Sequence, residues 1–179
     1  MNEGRPCVFF DRDGVVNRSP GAGYVLYPEE FVLNEGIAEA LHLLRNRDAL
    51  AIVVTSQKGV GKGQMTRAGL DGIHRRMSDL LAAAGGAAFD AVYVHTGDGT
   101  DDDPPAKPDP GMIFMAKERF CIDLRRSWLI GDADRDIAMG LSAGLAGTIR
   151  IQGENPVTVA ATYTLENTTE IPGLLELIL

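Results

Sequence analysis

The chain has 179 residues, enough for one domain with a full hydrophobic core. Apolar and charged shares of 45% and 23% are those of a globular protein in water, and a net charge of −8 leaves no basic field to draw in nucleic acid. The N-terminal Met1-Asn2-Glu3-Gly4-Arg5 lacks the apolar core of a signal peptide, and no apolar run approaches membrane-spanning length, so a cytoplasmic protein with no membrane partner is expected.

Short apolar runs alternate with helical periodicity, the pattern of βαβ units in a Rossmann-like, mainly parallel sheet flanked by helices. The first strand, Cys7–Phe10, runs straight into Asp11-Arg12-Asp13-Gly14. Ile37, Leu41 and Leu44 mark the face of a first helix, and a second strand follows at residues 50–55. Leu70, Ile73, Met77, Leu80 and Ala84 mark a second helix, and residues 89–95 a third strand. Residues 96–108 form the one long irregular stretch, a length that in a compact domain points to function or mobility. Asp109 as N-cap and Pro110 at the first helical position open a third helix that buries Ile113, Ala116 and Phe120. A fourth strand at 127–131 leads to a short helix with Ile137 and Leu141 inward, ending near Gly144. Gly147–Ile151, an edge strand at 160–165 and a closing helix at 168–179 complete a single domain spanning residues 1–179. Cys7 and Cys121 have no metal-type spacing and read as reduced, partly buried thiols.

The chemistry sits at the strand ends. Asp11 and Asp13 are one residue apart and repel unless a cation or shared proton neutralises them, and Mg²⁺ suits carboxylate and phosphate oxygens. The second strand ends in Thr55-Ser56-Gln57-Lys58-Gly59, the fourth in Gly131-Asp132 with Asp136 beyond, and Lys107 stands just before a helix. Right-handed crossovers bring all these ends to one edge of the sheet. A phosphate monoester needs a nucleophile, charge neutralisation and a proton for its leaving oxygen. Asp11 is an oxygen nucleophile able to form an aspartyl-phosphate, and Asp13 can protonate the leaving group and then activate water. Thr55 and Lys107 would hold the phosphoryl group, with the amides of Ser56 and Gln57 as further donors and Lys58 beside them. Arg18, Lys58 and Lys62 are candidates for a second phosphate.

Other apparent motifs fail. Gly59-Val60-Gly61-Lys62-Gly63 lacks the Ser or Thr of a P-loop, and Asp101-Asp102-Asp103 lacks the glycine and glutamate of a calcium loop. His42 and His74 lie on helices as structural or surface groups, whereas His95 ends the third strand beside the pocket.

Asp-x-Asp-Gly, strand-end Thr, Lys-Pro and Gly-Asp-x-x-x-Asp, in that order, resemble the four motifs of the haloacid dehalogenase (HAD) phosphatase superfamily. The stretches Asp11–Asn17, Thr55–Gly59, Lys107–Met112 and Gly131–Asp136 are similar to its small capless branch, which includes heptose bisphosphate and histidinol-phosphate phosphatases. The resemblance implies a metal site of Asp11, the Asp13 backbone carbonyl and Asp132, with Asp136 orienting Lys107 or a metal-bound water. It implies a small phosphorylated metabolite as substrate, first of the D-glycero-D-manno-heptose 1,7-bisphosphate type, then histidinol phosphate, with a polynucleotide 3′-phosphate a weaker third, and a monomer. Such relatives often carry a zinc loop of Cys and His, but residues 94–107 offer only His95, so no zinc is expected. They also place arginine before the motif lysine and asparagine after the threonine, where this chain has Ala106 and Ser56. Two non-enzyme alternatives remain: a receiver-like phosphoacceptor, and a catalytically idle binding protein. A receiver would end a middle strand in a lone Asp, and no such residue is present.

Overall fold

The computed structural model describes residues 4–179; residues 1–3, part of the stretch expected to carry no signal peptide, lie outside them. Strands β1 (Cys7–Phe10), β2 (Leu50–Ser56), β3 (Ala91–His95), β4 (Trp128–Gly131), β5 (Gly147–Ile151) and β6 (Tyr163–Leu165) form one sheet in the order β3-β2-β1-β4-β5-β6. Every pairing is parallel. Side chains alternate across a strand, so β1 feeds two cores. Val8 and Phe10 join α1 (Ile37–Asn46), α2 (Arg67–Ala83) and α5 (Ile171–Ile178) on one face. Cys7 and Phe9 join α3 (Gly111–Phe120) and α4 (Asp134–Ala143) on the other. Burial on both faces explains why β1, β2 and β4 read as continuous apolar runs.

From β1 the chain winds through β2 to β3 on one side, then returns to lay β4, β5 and β6 on the other. The switch lies between β1 and β4, and open α/β sheets bind ligands in the crevice beyond the strand ends at that point. The order also differs from the 2-1-3-4-5 arrangement of flavodoxin-like sheets to which receivers belong, which removes that alternative. Among the described residues no cap covers the crevice, and no helix is long and apolar enough to cross a membrane.

Several boundaries move for identifiable reasons. β3 starts at Ala91 because Asp90 turns its carboxylate back onto the Ala51 amide at 2.8 Å, and that contact replaces a ladder bond. α3 starts at Gly111, one residue late, with Asp109 Oδ1 accepting the Gly111 N–H at 2.8 Å. On α2, Leu81 rather than Leu80 or Ala84 completes the buried face. On α4, Leu141 is 56% exposed, against expectation. A Cβ on Gly140 would lie 2.6 Å from Thr148 Cγ2, so the helix presses its glycine onto β5 and turns Leu141 to solvent. The final strand shortens to Tyr163–Leu165, and the closing segment is a 3₁₀ turn, Thr168–Glu170, leading into α5. Cys7 is buried as expected, but Cys121 is exposed at the left-handed C-cap of α3.

Candidate active site

The end of β1 is fixed by the Asp11 N–H, which donates to the Ile130 carbonyl of β4 at 2.9 Å. Asp11 and Asp132 thus flank the switch point. The motif glycines let the acids crowd together. Gly14 has φ +88° and a Cβ there would sit 2.3 Å from Asp132 Oδ2; a Cβ on Gly131 would sit 2.2 Å from Asp136 Cβ.

Lys107 arrives from the preceding loop with its side chain 1% exposed, and its ammonium donates to Asp11 Oδ1 at 2.6 Å and Asp136 Oδ1 at 2.7 Å. Asp136 Oδ2 accepts the Ala133 N–H at 3.1 Å. Both oxygens of Asp136 are therefore occupied, one by Lys107 and the other by the Ala133 N–H. Three buried acids against one lysine leave negative charge unbalanced. Burial, then repulsion from Asp136, pushes Asp11 up to about 7 despite Lys107. Burial and Asp136 likewise push Asp132 up to about 6. Burial alone would favour a neutral Lys107, but the two carboxylates hold its pKa above the usual lysine value.

The donor set fits a hard divalent cation. One oxygen from each of Asp11, Asp132 and Asp136 lies within 4.8 Å of the others. Asp11 Oδ1 is taken by Lys107 and by the Arg12 N–H at 2.8 Å, and Asp132 Oδ2 by Asn155 Nδ2 at 3.0 Å. Asp11 Oδ2 and Asp132 Oδ1 remain without a hydrogen bond among the described residues, so these two acids, rather than Asp136, offer open positions.

Asp13 faces elsewhere. Its carboxylate is gripped by Arg12 Nη2 at 3.0 Å to each oxygen, by Asn17 Nδ2 at 2.9 Å and by Gln57 Nε2 at 2.9 Å. Burial would raise its pKa, but Arg12 and these hydrogen bonds hold it below the usual carboxylate range. Its side chain is not in the acidic cluster, so any part in holding metal falls to its backbone carbonyl. The turn bonds, Gly14 N–H to Asn17 O and Asn17 N–H to Arg12 O, leave that carbonyl out.

Gln57 also departs from expectation. Its N–H donates to the His95 carbonyl of β3 at 2.6 Å and is not free for a phosphoryl oxygen. Its side chain instead joins Asp13 to the Thr55 hydroxyl, 2.9 Å away, while its Oε1 accepts from Arg12 at 2.8 Å. Ser56 Oγ is buried with no partner among the described residues and lines the cleft, a donor ready for a bound anion. Arg12, fully buried, is backed by His74 Nε2 at 3.5 Å; burial and then Arg12 pull His74 down to about 4, so it faces Arg12 as a neutral acceptor.

The cleft encloses about 330 Å³ between residues 19–24 on one wall and Ser56, Lys58, Lys107, Asp132, Arg135 and Asn155 on the other. Lys62 is turned aside, its ammonium on Tyr24 OH at 3.0 Å. The glycines of the failed P-loop serve packing: a Cβ on Gly61 would lie 2.2 Å from the Gly97 carbonyl. The irregular loop is closed by Asp103, which accepts the N–H groups of Thr96 at 2.7 Å and Gly97 at 2.8 Å and pairs with His95 Nδ1 at 3.1 Å.

The sequence pattern alone does not single out Arg12, the Gln57 side chain, Asn17, Arg135 or Asn155. Arg12 had a signal, a cation between two acids at a strand end; Asn155, in a polar loop 23 residues beyond Asp132, had none.

The sheet order and the acids at its switch point define a HAD-type hydrolase, and comparison with known proteins agrees. The profile of the HAD-hydrolase-like family matches residues 104–176. The D-glycero-alpha-D-manno-heptose-1,7-bisphosphate 7-phosphatase of Burkholderia mallei is 35% identical over 174 residues, covering 92% of this chain and 90% of the relative. The D-glycero-beta-D-manno-heptose-1,7-bisphosphate 7-phosphatase of Vibrio cholerae is 30% identical, covering 96% of each. Among solved structures, the D,D-heptose 1,7-bisphosphate phosphatase of B. bronchiseptica, complexed with magnesium and phosphate, matches with a TM-score of 0.81 and 28% identity, over 96% of this chain and 98% of that one. The chain belongs to the HAD-like phosphatases, in the family that includes these enzymes. It is a phosphatase.

Proposed function

We propose that the chain hydrolyses a small phosphorylated sugar of the D-glycero-D-manno-heptose 1,7-bisphosphate type, through an aspartyl-phosphate on Asp11 and with Mg²⁺. The observation that carries the mechanism is the arrangement around Asp11. One oxygen is pinned by Lys107 and the Arg12 N–H, and the other is left without a hydrogen bond near Asp132, which lines the cleft. The open oxygen attacks phosphorus, and the sugar oxygen leaves with a proton from Asp13. Asp13 rests ionised; the negative phosphoryl group raises its proton affinity on arrival, and it takes up a proton from solvent before the bond breaks. It then takes a proton from the water that cleaves the acyl phosphate, releasing inorganic phosphate and restoring Asp11, and returns one to solvent at the end of the cycle. Lys107, moored by Asp136, meets the phosphoryl oxygens together with the Thr55 and Ser56 hydroxyls. A Mg²⁺ held by Asp132, the Asp13 carbonyl and the Asp11 oxygen that does not attack would neutralise charge on the transferring group.

The substrate class is supported by the relatives, whose names divide between the alpha and beta anomers. Lys58 and Arg135 on the wall disfavour histidinol phosphate, whose amine is a cation. A panel of phosphorylated metabolites, including both heptose bisphosphate anomers and histidinol phosphate, assayed with Mg²⁺ and after chelation, tests the reading. Heptose bisphosphate should rank first, with measurable activity on several sugar phosphates, and Mg²⁺ should restore a chelated enzyme. Metal analysis showing stoichiometric zinc, or equal turnover without divalent ion, would overturn the metal assignment.

A further inference from the structure

The charges around the cleft separate into those already matched and those that are not. Lys107 is consumed by Asp11 and Asp136, and Asp13 by Arg12. Lys62 is on Tyr24. Lys58 and Arg135 remain: both line the cleft, both are exposed, and neither has an ion-pair or hydrogen-bond partner for its side chain among the described residues. Lys58 follows the end of β2 and Arg135 stands in the first turn of α4, just beyond β4, so they flank the site from the two sides of β1.

A second cleft of about 790 Å³ adjoins the first and shares residues 19–22, Asp132 and Asn155. It holds Arg18, but also Glu154 and Glu166, so its one cation faces three acids once Asp132 is counted. In the first cleft the two unmatched cations, Lys58 and Arg135, face one acid not already matched by a cation, Asp132. A second anionic group on the substrate is drawn to the first cleft, and a neutral polyol end is better suited to the second.

We infer that Lys58 and Arg135 together anchor a second phosphate of the substrate, making them the residues that select a sugar bisphosphate over a monophosphate. The inference rests on the bisphosphatase reading above and adds residues to it. Arg135 supplies a planar fork that meets phosphate oxygens in pairs, and Lys58 a mobile point charge opposite.

The test uses a matched pair, glucose 1,6-bisphosphate and glucose 6-phosphate. Each serves as a substrate or, where turnover is slow, as a competitive inhibitor of p-nitrophenyl phosphate hydrolysis. Wild type should favour the bisphosphate by roughly tenfold or more in KM or Ki, the scale of one charged hydrogen bond. Lys58→Ala and Arg135→Ala should each shrink that ratio, and the double variant should bring it to about one, with kcat falling far less than KM rises. Lys58→Arg and Arg135→Lys should retain part of it, and Arg18→Ala should leave the ratio as it was. Equal affinity of wild type for both ligands would overturn the inference, as would a double variant with the preference intact. If the preference holds and falls as described while heptose bisphosphate is not hydrolysed, the anchor stands and only the sugar assignment fails.

Discussion

The floor and the rim of one cleft follow opposite rules. On the floor, Asp11, Lys107 and Asp136 have side chains no more than 4% exposed, and each is tied to another by a charged hydrogen bond. On the rim, Lys58, Arg135 and residues 21–23 are exposed, and neither cation is paired among the described residues. Burial makes the floor groups interdependent, because an unpaired charge there is costly. Water screens the rim groups, so each acts almost alone. Changes on the floor should therefore disturb chemistry and stability together, and changes on the rim should disturb selectivity only.

The sharpest way to break this contrast is at the nucleophile. Asp11→Asn should keep the fold and lose turnover by at least about a thousandfold, because an amide oxygen does not attack phosphorus. Asp13→Asn should instead slow leaving-group departure and hydrolysis of the intermediate. Single-turnover assays separate the two, and wild-type activity in Asp11→Asn would refute the mechanism.

Lys107→Met should hurt in both ways. It removes the one cation among Asp11, Asp132 and Asp136, and breaking a buried ion pair costs about 3–5 kcal/mol. At this chain length that corresponds to a fall in Tm of about 6–20 °C, together with loss of activity. Because the remaining acids need positive charge, millimolar Mg²⁺ should recover part of the lost Tm, whereas chelator should deepen the loss. Identical Tm values for variant and wild type in chelator would show that the floor charges are not coupled as described.

The same division governs what the sequence reveals. β1, β2 and β4 are legible because strands buried on both faces must be apolar throughout, and the floor residues because strand ends in a parallel sheet converge. Leu141 misled because i, i+4 spacing does not show which way a helix rolls; Gly140, by approaching Thr148, decides that on α4. The Gln57 amide misled because its competitor, the His95 carbonyl, lies on a different strand 38 residues away. Asn155 reaches the cleft through tertiary placement and nothing in its neighbours marks it, whereas Arg135 carries the same signal as Arg12, a cation between two acids inside the Gly131–Asp136 motif.

A rim change of intermediate size would sharpen the comparison. Ala106 stands directly before Lys107 and is partly exposed. Ala106→Arg would add a cation directly before Lys107, which lines the cleft, and one charged hydrogen bond of about 1.5–3 kcal/mol corresponds to roughly tenfold to a hundredfold in discrimination. Preference among sugar bisphosphates and between anomers should rise by that order, with Tm unchanged. A large Tm change would mean that position 106 belongs to the floor.

The last effect, read through its pH dependence, concerns the tether between floor and rim. Asp134 lies between Asp132 and Asp136 in sequence, yet its carboxylate turns outward, accepting the Thr158 hydroxyl at 2.6 Å, the Thr158 and Val159 N–H groups, and Arg150 at 2.6 Å. That grip holds the loop from which Asn155 reaches Asp132. The hydrogen bonds, led by the Thr158 hydroxyl, lower Asp134 from 3.8 to about 2. A carboxylate with a folded-state pKa below its unfolded value contributes stability above the unfolded value, and loses it as pH falls through the folded one. The Tm difference between wild type and Asp134→Ala should therefore be constant from pH 7 down to about 4, narrow as pH falls from there through about 2, and vanish only below that. At neutral pH the variant should also bind sugar phosphates less tightly, because Asn155 loses its support while the floor stays intact. A Tm gap that stays constant below pH 4 would show that Asp134 stabilises the loop by shape rather than by charge.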